Sequence, residues 1–250
     1  MTRLRRGWGV LLSLALLAVL VGCEDDPKEP EARAVLMDRS GSFIGSVYGQ
    51  SWKQIVQEDV AAMKGPGPVT VRGFSGEVGA ENCQVPTESL SYESNNSQTF
   101  EDDKKPLAAR LIKAAEPYFA CLEERVDRKS SDVLGALGQV MSTDLREKTD
   151  PPPFASRRLT LLSDGCQSSA ELRLCSAKQL DDATWRADAI KKLPASAKPA
   201  MKGVQICFIG LGAGSKLEQR KVSALRSFYD EYFDAVGATV KYSQGTTCQK

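Results

Sequence analysis

The chain contains no histidine. That absence removes Ser-His-Asp and Cys-His nucleophilic catalysis, histidine general bases and most zinc sites in one step. Any chemistry has to run on carboxylates, hydroxyls, Lys, Tyr or Cys. The chain also lacks a surplus of charge, with 33 Lys and Arg against 32 Asp and Glu. Without Arg3, Arg5 and Arg6 at the start, 30 basic residues face 32 acidic ones, a net charge of −2. Nothing in that balance suggests a phosphate-binding surface, so nucleic acid is not the expected partner. There is no internal repeat. The longest apolar run, Val10 to Val21, is too short to span a bilayer comfortably. What remains is ordinary globular composition over 250 residues, 42% hydrophobic and 26% charged, long enough for one full core.

The short apolar run has a different use. It follows a basic start, has the length of a signal-peptide core and ends in Leu20-Val21-Gly22-Cys23. That ending resembles a bacterial lipobox, in which cleavage leaves an acylated Cys as the new N-terminus; the alternative is an ordinary signal peptide with a stray Cys. The lipobox implies a signal peptide over 1–22, lipid on Cys23 and anchoring on a membrane rather than through it. The acidic, proline-containing stretch up to residue 32 reads as a tether. Glu24 is not the Asp that favours inner-membrane retention, which points to the outer membrane of a two-membrane cell envelope.

Export gives the other cysteines a meaning. Cys83, Cys121, Cys166, Cys175, Cys207 and Cys248 are an even number for an oxidising compartment. Six cysteines allow about 15 pairings. The preferred set joins Cys166 to Cys175 as a local pair, then Cys83 to Cys121 and Cys207 to Cys248 from the layout of elements. Cys207 lies in an apolar run, so a buried free thiol is its alternative.

From residue 33 onward apolar strand patterns alternate with helical ones. Strands are predicted at 32–38, 69–75, 157–164, 203–212 and 238–243. Helices are predicted at 51–64, 106–126, 130–145, 177–193 and 215–235. Pro106 suits a first helical position, and Pro117 should kink or split its helix. A polar insert near 76–103 holds Cys83 and at most one edge strand. The alternation predicts one α/β domain over 33–250, with a mostly parallel central sheet and helices on both faces.

In such a sheet, ligands bind beyond the carboxyl ends of the strands, where the strand order reverses. Three polar elements fall there: Asp38-Arg39-Ser40-Gly41-Ser42, Ser131 at a helix start, and Asp164-Gly165 ending an apolar strand. Carboxylates and hydroxyls without His or Cys are hard oxygen ligands suited to Mg²⁺ or Mn²⁺. These three elements, in this order, resemble those of a von Willebrand factor type A domain with its metal-ion-dependent adhesion site. "Asp38-x-Ser40-x-Ser42" matches the first element, "Ser131-Asp132-Val133-Leu134-Gly135-Ala136-Leu137" the second with Ser in place of Thr, and "Leu161-Leu162-Ser163-Asp164-Gly165" the third. The glycine-rich end of "Ile206-Cys207-Phe208-Ile209-Gly210-Leu211-Gly212" is similar to the family's next strand.

The resemblance implies a three-layer Rossmann-like fold and a binding module that is not an enzyme. It implies one cation held by Ser40, Ser42 and Ser131, with Asp38 and Asp164 acting largely through waters. The implied partner is a protein that offers an Asp or Glu carboxylate. Against it stand a metal-free relative serving as an envelope scaffold, and a phosphatase-like fold with Asp38 as nucleophile. Taken singly, Ser131 is a helix N-cap and Asp164-Gly165 a turn. The aromatic residues of the last helix, including Phe228 and Phe233, are expected in the core.

Overall fold

A computed structural model describes residues 29–76, 83–90, 97–125, 130–146 and 154–248. The signal-peptide segment, Cys23 and residues 24–28 of the tether lie outside them. No helix among the described residues is long and apolar enough to cross a membrane.

Six strands form one sheet: β1 (Glu31–Asp38), β2 (Gly67–Phe74), β3 (Thr87–Leu90), β4 (Ser156–Leu162), β5 (Val204–Ile209) and β6 (Thr239–Ser243), in the order β3-β2-β1-β4-β5-β6. All neighbours pair parallel except β3, which runs antiparallel to β2 at the edge. The helices are α1 (Gly41–Ile44), α2 (Val47–Gln50), α3 (Trp52–Ala61), α4 (Ser97–Arg125), α5 (Val133–Thr143), α6 (Ala183–Lys192) and α7 (Gln219–Val236).

The alternation of β1 divides the core. Ala32, Ala34 and Leu36 enter one apolar cluster with α5, α7 and the Leu159 and Leu161 side of β4. Val35 and Met37 enter a second cluster with α3 and α4. Both faces of β1 are therefore buried, as a central parallel strand requires. Tyr229, Tyr232, Phe228 and Phe233 of α7 are all fully buried in the first cluster, the core role expected of them.

Several boundaries differ from expectation, and three of the differences have a visible cause. β1 starts at Glu31, inside the stretch read as tether, because Glu31 is buried against Arg33 and Arg158 and accepts from the Lys64 amide. α4 starts at Ser97, so Pro106 lies in its interior and the polar insert is correspondingly shorter. Phe100 packs into the second cluster, and Lys104 reaches Ala61 O at 3.2 Å and Glu101 at 2.8 Å, which anchors those early turns. The helix also runs through Pro117 without splitting. Both prolines are exposed, so they interrupt the helix on its solvent side, while Leu107, Leu111, Ala115, Phe119 and Leu122 stay buried opposite. Val126 lies outside the described residues. Finally, α6 begins at Ala183 rather than near 177, because the Asp182 carboxylate caps it by accepting from the Thr184 and Trp185 amides.

The three expected disulfides are all present: Cys83–Cys121, Cys166–Cys175 and Cys207–Cys248. Cys207 is thus no free thiol. The two longer ones close loops of 38 and 41 residues. On the chain-entropy account each restricts the unfolded chain by about 4 kcal/mol.

Candidate metal centre

The strand order reverses at the β1–β4 seam, where Met37 pairs with Leu162. Asp38 is the last residue of β1, and Asp164 stands two residues beyond β4. The sheet register therefore brings these two carboxylates, 126 positions apart in the sequence, to one edge. Both are fully buried.

The turn after β1 aims its polar groups inward. Asp38 Oδ1 accepts from the Ser40 amide at 2.8 Å. Ser40 begins α1, yet its hydroxyl does not cap that helix. It lies instead 3.2 Å from the Ser42 hydroxyl, which donates to Asp164 Oδ2 at 2.9 Å. Ser46, by contrast, does cap α2 by accepting from the Gly49 amide. Gly214, at φ +74°, lets the chain after β5 press on this turn, since a Cβ there would strike the Ser42 carbonyl.

Ser131 completes the set. Its hydroxyl donates to Asp38 Oδ2 at 2.9 Å. It is not the N-cap of α5, because that position belongs to Asp132, which accepts from the Gly135 amide. Its backbone is held from two sides, through a bridge to Gly76 and the Ser168 amide donating to Ser131 O at 2.7 Å. All five expected residues therefore converge, in a chain running Ser131–Asp38–Ser40–Ser42–Asp164. Ser42 alone is exposed, which fixes the direction from which a partner can reach the group.

Two contributors were missed in the sequence. Ser163, fully buried, donates to Asp38 Oδ2 at 2.8 Å and accepts from the Gly165 amide. Gln167, 2% exposed, donates through Nε2 to Asp132 Oδ1 at 2.8 Å and accepts at Oε1 from the Leu134 amide at 3.0 Å. Ser163 adjoins Asp164 in the motif itself. Gln167 carries no sequence signal beyond its place inside the Cys166–Cys175 loop. Gln167→Ala should cost about 1–3 kcal/mol, because it leaves the buried Leu134 amide unpaired. The check is a lower urea midpoint at unchanged slope.

The electrostatics of the group are unbalanced. Burial, then the Asp164 charge, raises the Asp38 carboxyl to about 6 against hydrogen bonds that lower it. Burial also raises Asp164, opposed by the Cys166 amide and the Ser42 hydroxyl. No basic side chain forms an ion pair with either carboxylate among the described residues. Arg39, the nearest in sequence, turns away to pair with Glu123 and to lie 4.6 Å over the Phe119 ring.

No protein-family model and no curated protein matches the chain.

The chemistry of the group therefore stands on its own geometry. Among the described residues no three His, Cys, Asp or Glu side chains gather as a metal site. A cation here would depend on the hydroxyls as much as on the two carboxylates. That donor set, all hard oxygen, fits Mg²⁺ or Mn²⁺ and suits neither zinc nor copper.

Proposed function

We propose that the protein is a von Willebrand factor type A-like binding module, three-layered and Rossmann-like. It is anchored at a bacterial envelope membrane through acylated Cys23 and binds a protein ligand through one Mg²⁺ or Mn²⁺. The observation that carries this is the pair of buried carboxylates without a basic partner, joined by three hydroxyls at the strand-order reversal. Burying two like charges side by side is costly unless a cation balances them.

Ser40, Ser42 and Ser131 would offer hydroxyls to the ion. Asp38 and Asp164 would orient its waters and balance its charge. A bound Mg²⁺ or Mn²⁺ supplies an electrophilic point for a carboxylate arriving past the exposed Ser42. Three neutral hydroxyls leave the ion short of negative charge, which favours an Asp or Glu from the partner. We favour binding over catalysis for Asp38, whose two oxygens accept from the Ser40 amide and from the Ser131 and Ser163 hydroxyls.

The test is thermal unfolding of the purified protein with EDTA, Mg²⁺ or Mn²⁺. At tenfold over its Kd the ion should add about 1.4 kcal/mol, a rise of roughly 3–6 °C in Tm. No rise at millimolar metal sinks the proposal and leaves the metal-free scaffold. The rise should also depend on pH. A raised carboxyl favours the folded state below its unfolded pKa of about 4, and that contribution fades as pH climbs to about 6. Above that, the charged Asp38 destabilises the metal-free fold and is what the ion compensates. Mn²⁺ affinity should accordingly weaken by up to about tenfold for each pH unit below 6.

A further inference from the structure

A cavity of about 610 Å³ lies on the α3 side of the sheet, and none of the candidate metal-site residues lines it. The register sets out its floor. Arg158, Gln205 and Thr239 stand in one rank across β4, β5 and β6, with Lys241 two residues further along β6. α3 and the segment after it supply one wall, through Asp59 and Lys64. The turn after β6 supplies another, tied to β5 by the Cys207–Cys248 disulfide. The near-neutral charge of the whole chain conceals a local surplus at this place.

The wall offers cations and no unpaired carboxylate. Asp59 is the one acidic residue that lines it among the described residues. Its Oδ1 accepts from Arg33 and from the Thr160 hydroxyl, and its Oδ2 is buried. Arg33 is itself 1% exposed and neutralised by Glu31 and Asp59. Three cations remain. Lys64 and Lys241 are exposed, and their ammonium groups make no hydrogen bond or ion pair among the described residues. Arg158 meets Glu31 Oε1 through Nε at 3.1 Å. Its two Nη atoms make no hydrogen bond among the described residues and, unlike Nε, keep accessible surface.

These cations stand at two ends of the cavity. Glu31 gathers the first two, since its Oε1 meets Arg158 and its Oε2 accepts from the Lys64 amide at 2.9 Å. Lys241 is two strands away from Arg158, about 10 Å at the usual strand spacing. Between the ends, Gln205 and Thr239 are exposed and can both donate and accept hydrogen bonds. A single small anion would engage one end and leave the other. Two anionic groups on a hydroxylated spacer engage both. A phosphate brings three acceptor oxygens and about two negative charges, which suits a guanidinium with an ammonium beside it.

We propose that this cavity binds a sugar-sized bisphosphate. One phosphate lies on the Arg158 Nη atoms and Lys64, the other on Lys241, and the sugar hydroxyls meet Gln205 and Thr239. This site is independent of the metal-binding proposal and stands or falls separately from it.

The experiment is an NMR titration of the isotope-labelled full chain, in EDTA, with fructose 1,6-bisphosphate as probe and fructose 6-phosphate and inorganic phosphate as comparators. The bisphosphate should shift the amides of Gln205, Thr239 and Lys241 saturably, with a Kd on the order of 0.1 mM. Both comparators fill one end only and should bind at least fivefold more weakly. Lys64→Ala and Lys241→Ala, at exposed positions outside the core, should each weaken the bisphosphate at least fivefold. Lys113→Ala, exposed on α4 and away from the cavity, should leave it unchanged. Three outcomes overturn the proposal: no saturable shift with the bisphosphate, equal affinity for fructose 6-phosphate, or binding by either cavity variant no weaker than by Lys113→Ala.

Discussion

Asp38→Asn should weaken Mn²⁺ binding by on the order of 10–100-fold, while leaving the metal-free fold at least as stable as the wild type at about pH 7.5. The two effects have one cause. Asp38 is buried beside Asp164, and its pKa of about 6 says that the fold disfavours its charge. Asn keeps the side chain's shape and one acceptor oxygen. With the amide nitrogen in the place of Oδ2, the Ser131 and Ser163 hydroxyls can both turn to accept from it, while the remaining oxygen keeps the Ser40 amide. Removing the charge relieves the repulsion but also removes half of the negative charge available to an ion. Electron paramagnetic resonance of free Mn²⁺ and calorimetric unfolding in EDTA read the two effects separately. Unchanged Mn²⁺ affinity in the variant would contradict the site. A large loss of metal-free stability would show that Asp38 serves the fold alone.

The second large effect lies at the other end of β1. Arg33→Met should destabilise the protein by about 3–5 kcal/mol, because it breaks a buried ion pair from one side. Arg33 is 1% exposed. Its guanidinium reaches Glu31 at 2.9 Å, Asp59 Oδ1 at 3.3 Å, and the Asp59 and Ala62 carbonyls at 2.6 and 2.7 Å. Those carbonyls are at the C-terminal end of α3, where a cation also meets the negative end of the helix dipole. Without Arg33, Glu31 keeps only Arg158 as an ion-pair partner among the described residues, and Asp59 loses its strongest favourable charge. Removing both sides should cost less than removing one. Glu31→Met combined with Arg33→Met is therefore expected to recover part of the loss. Denaturant midpoints of the single and double variants measure this, and a double variant worse than the single would contradict the ion-pair account.

The sheet was legible because its central strands are short apolar runs ending in charged or glycine residues, and the helices between them carry three-and-four spacing. The five site residues were legible because each sits at a strand end or a helix start, where local pattern and position agree. Ser163 and Gln167 were not, because their partners are 125 and 35 positions distant and only the register supplies them. The start of α4 was hidden for another reason. Its first turns carry a single buried aromatic, Phe100, among polar residues, and Pro106 looked like an opening when it is a solvent-side interruption. Glu31 fell in the stretch read as tether, and Arg33 in the first strand with no partner in sight. Their burial depends on each other and on α3, which no local pattern announces.

The disulfides have a consequence for cleavage. Cys83–Cys121 lies wholly before residue 125, and the other two lie wholly after residue 130. None of the three crosses the β1–β4 seam. A protease that cut the chain between these halves would release two fragments with no covalent link, each stapled within itself. Their reassociation would rest on the pairing of β1 with β4 and on whatever spans Asp38 and Asp164. Because Asp38, Ser40 and Ser42 come from one fragment and Ser131 and Asp164 from the other, the proposed ion would act as a clasp between separable pieces, and a chelator would release it.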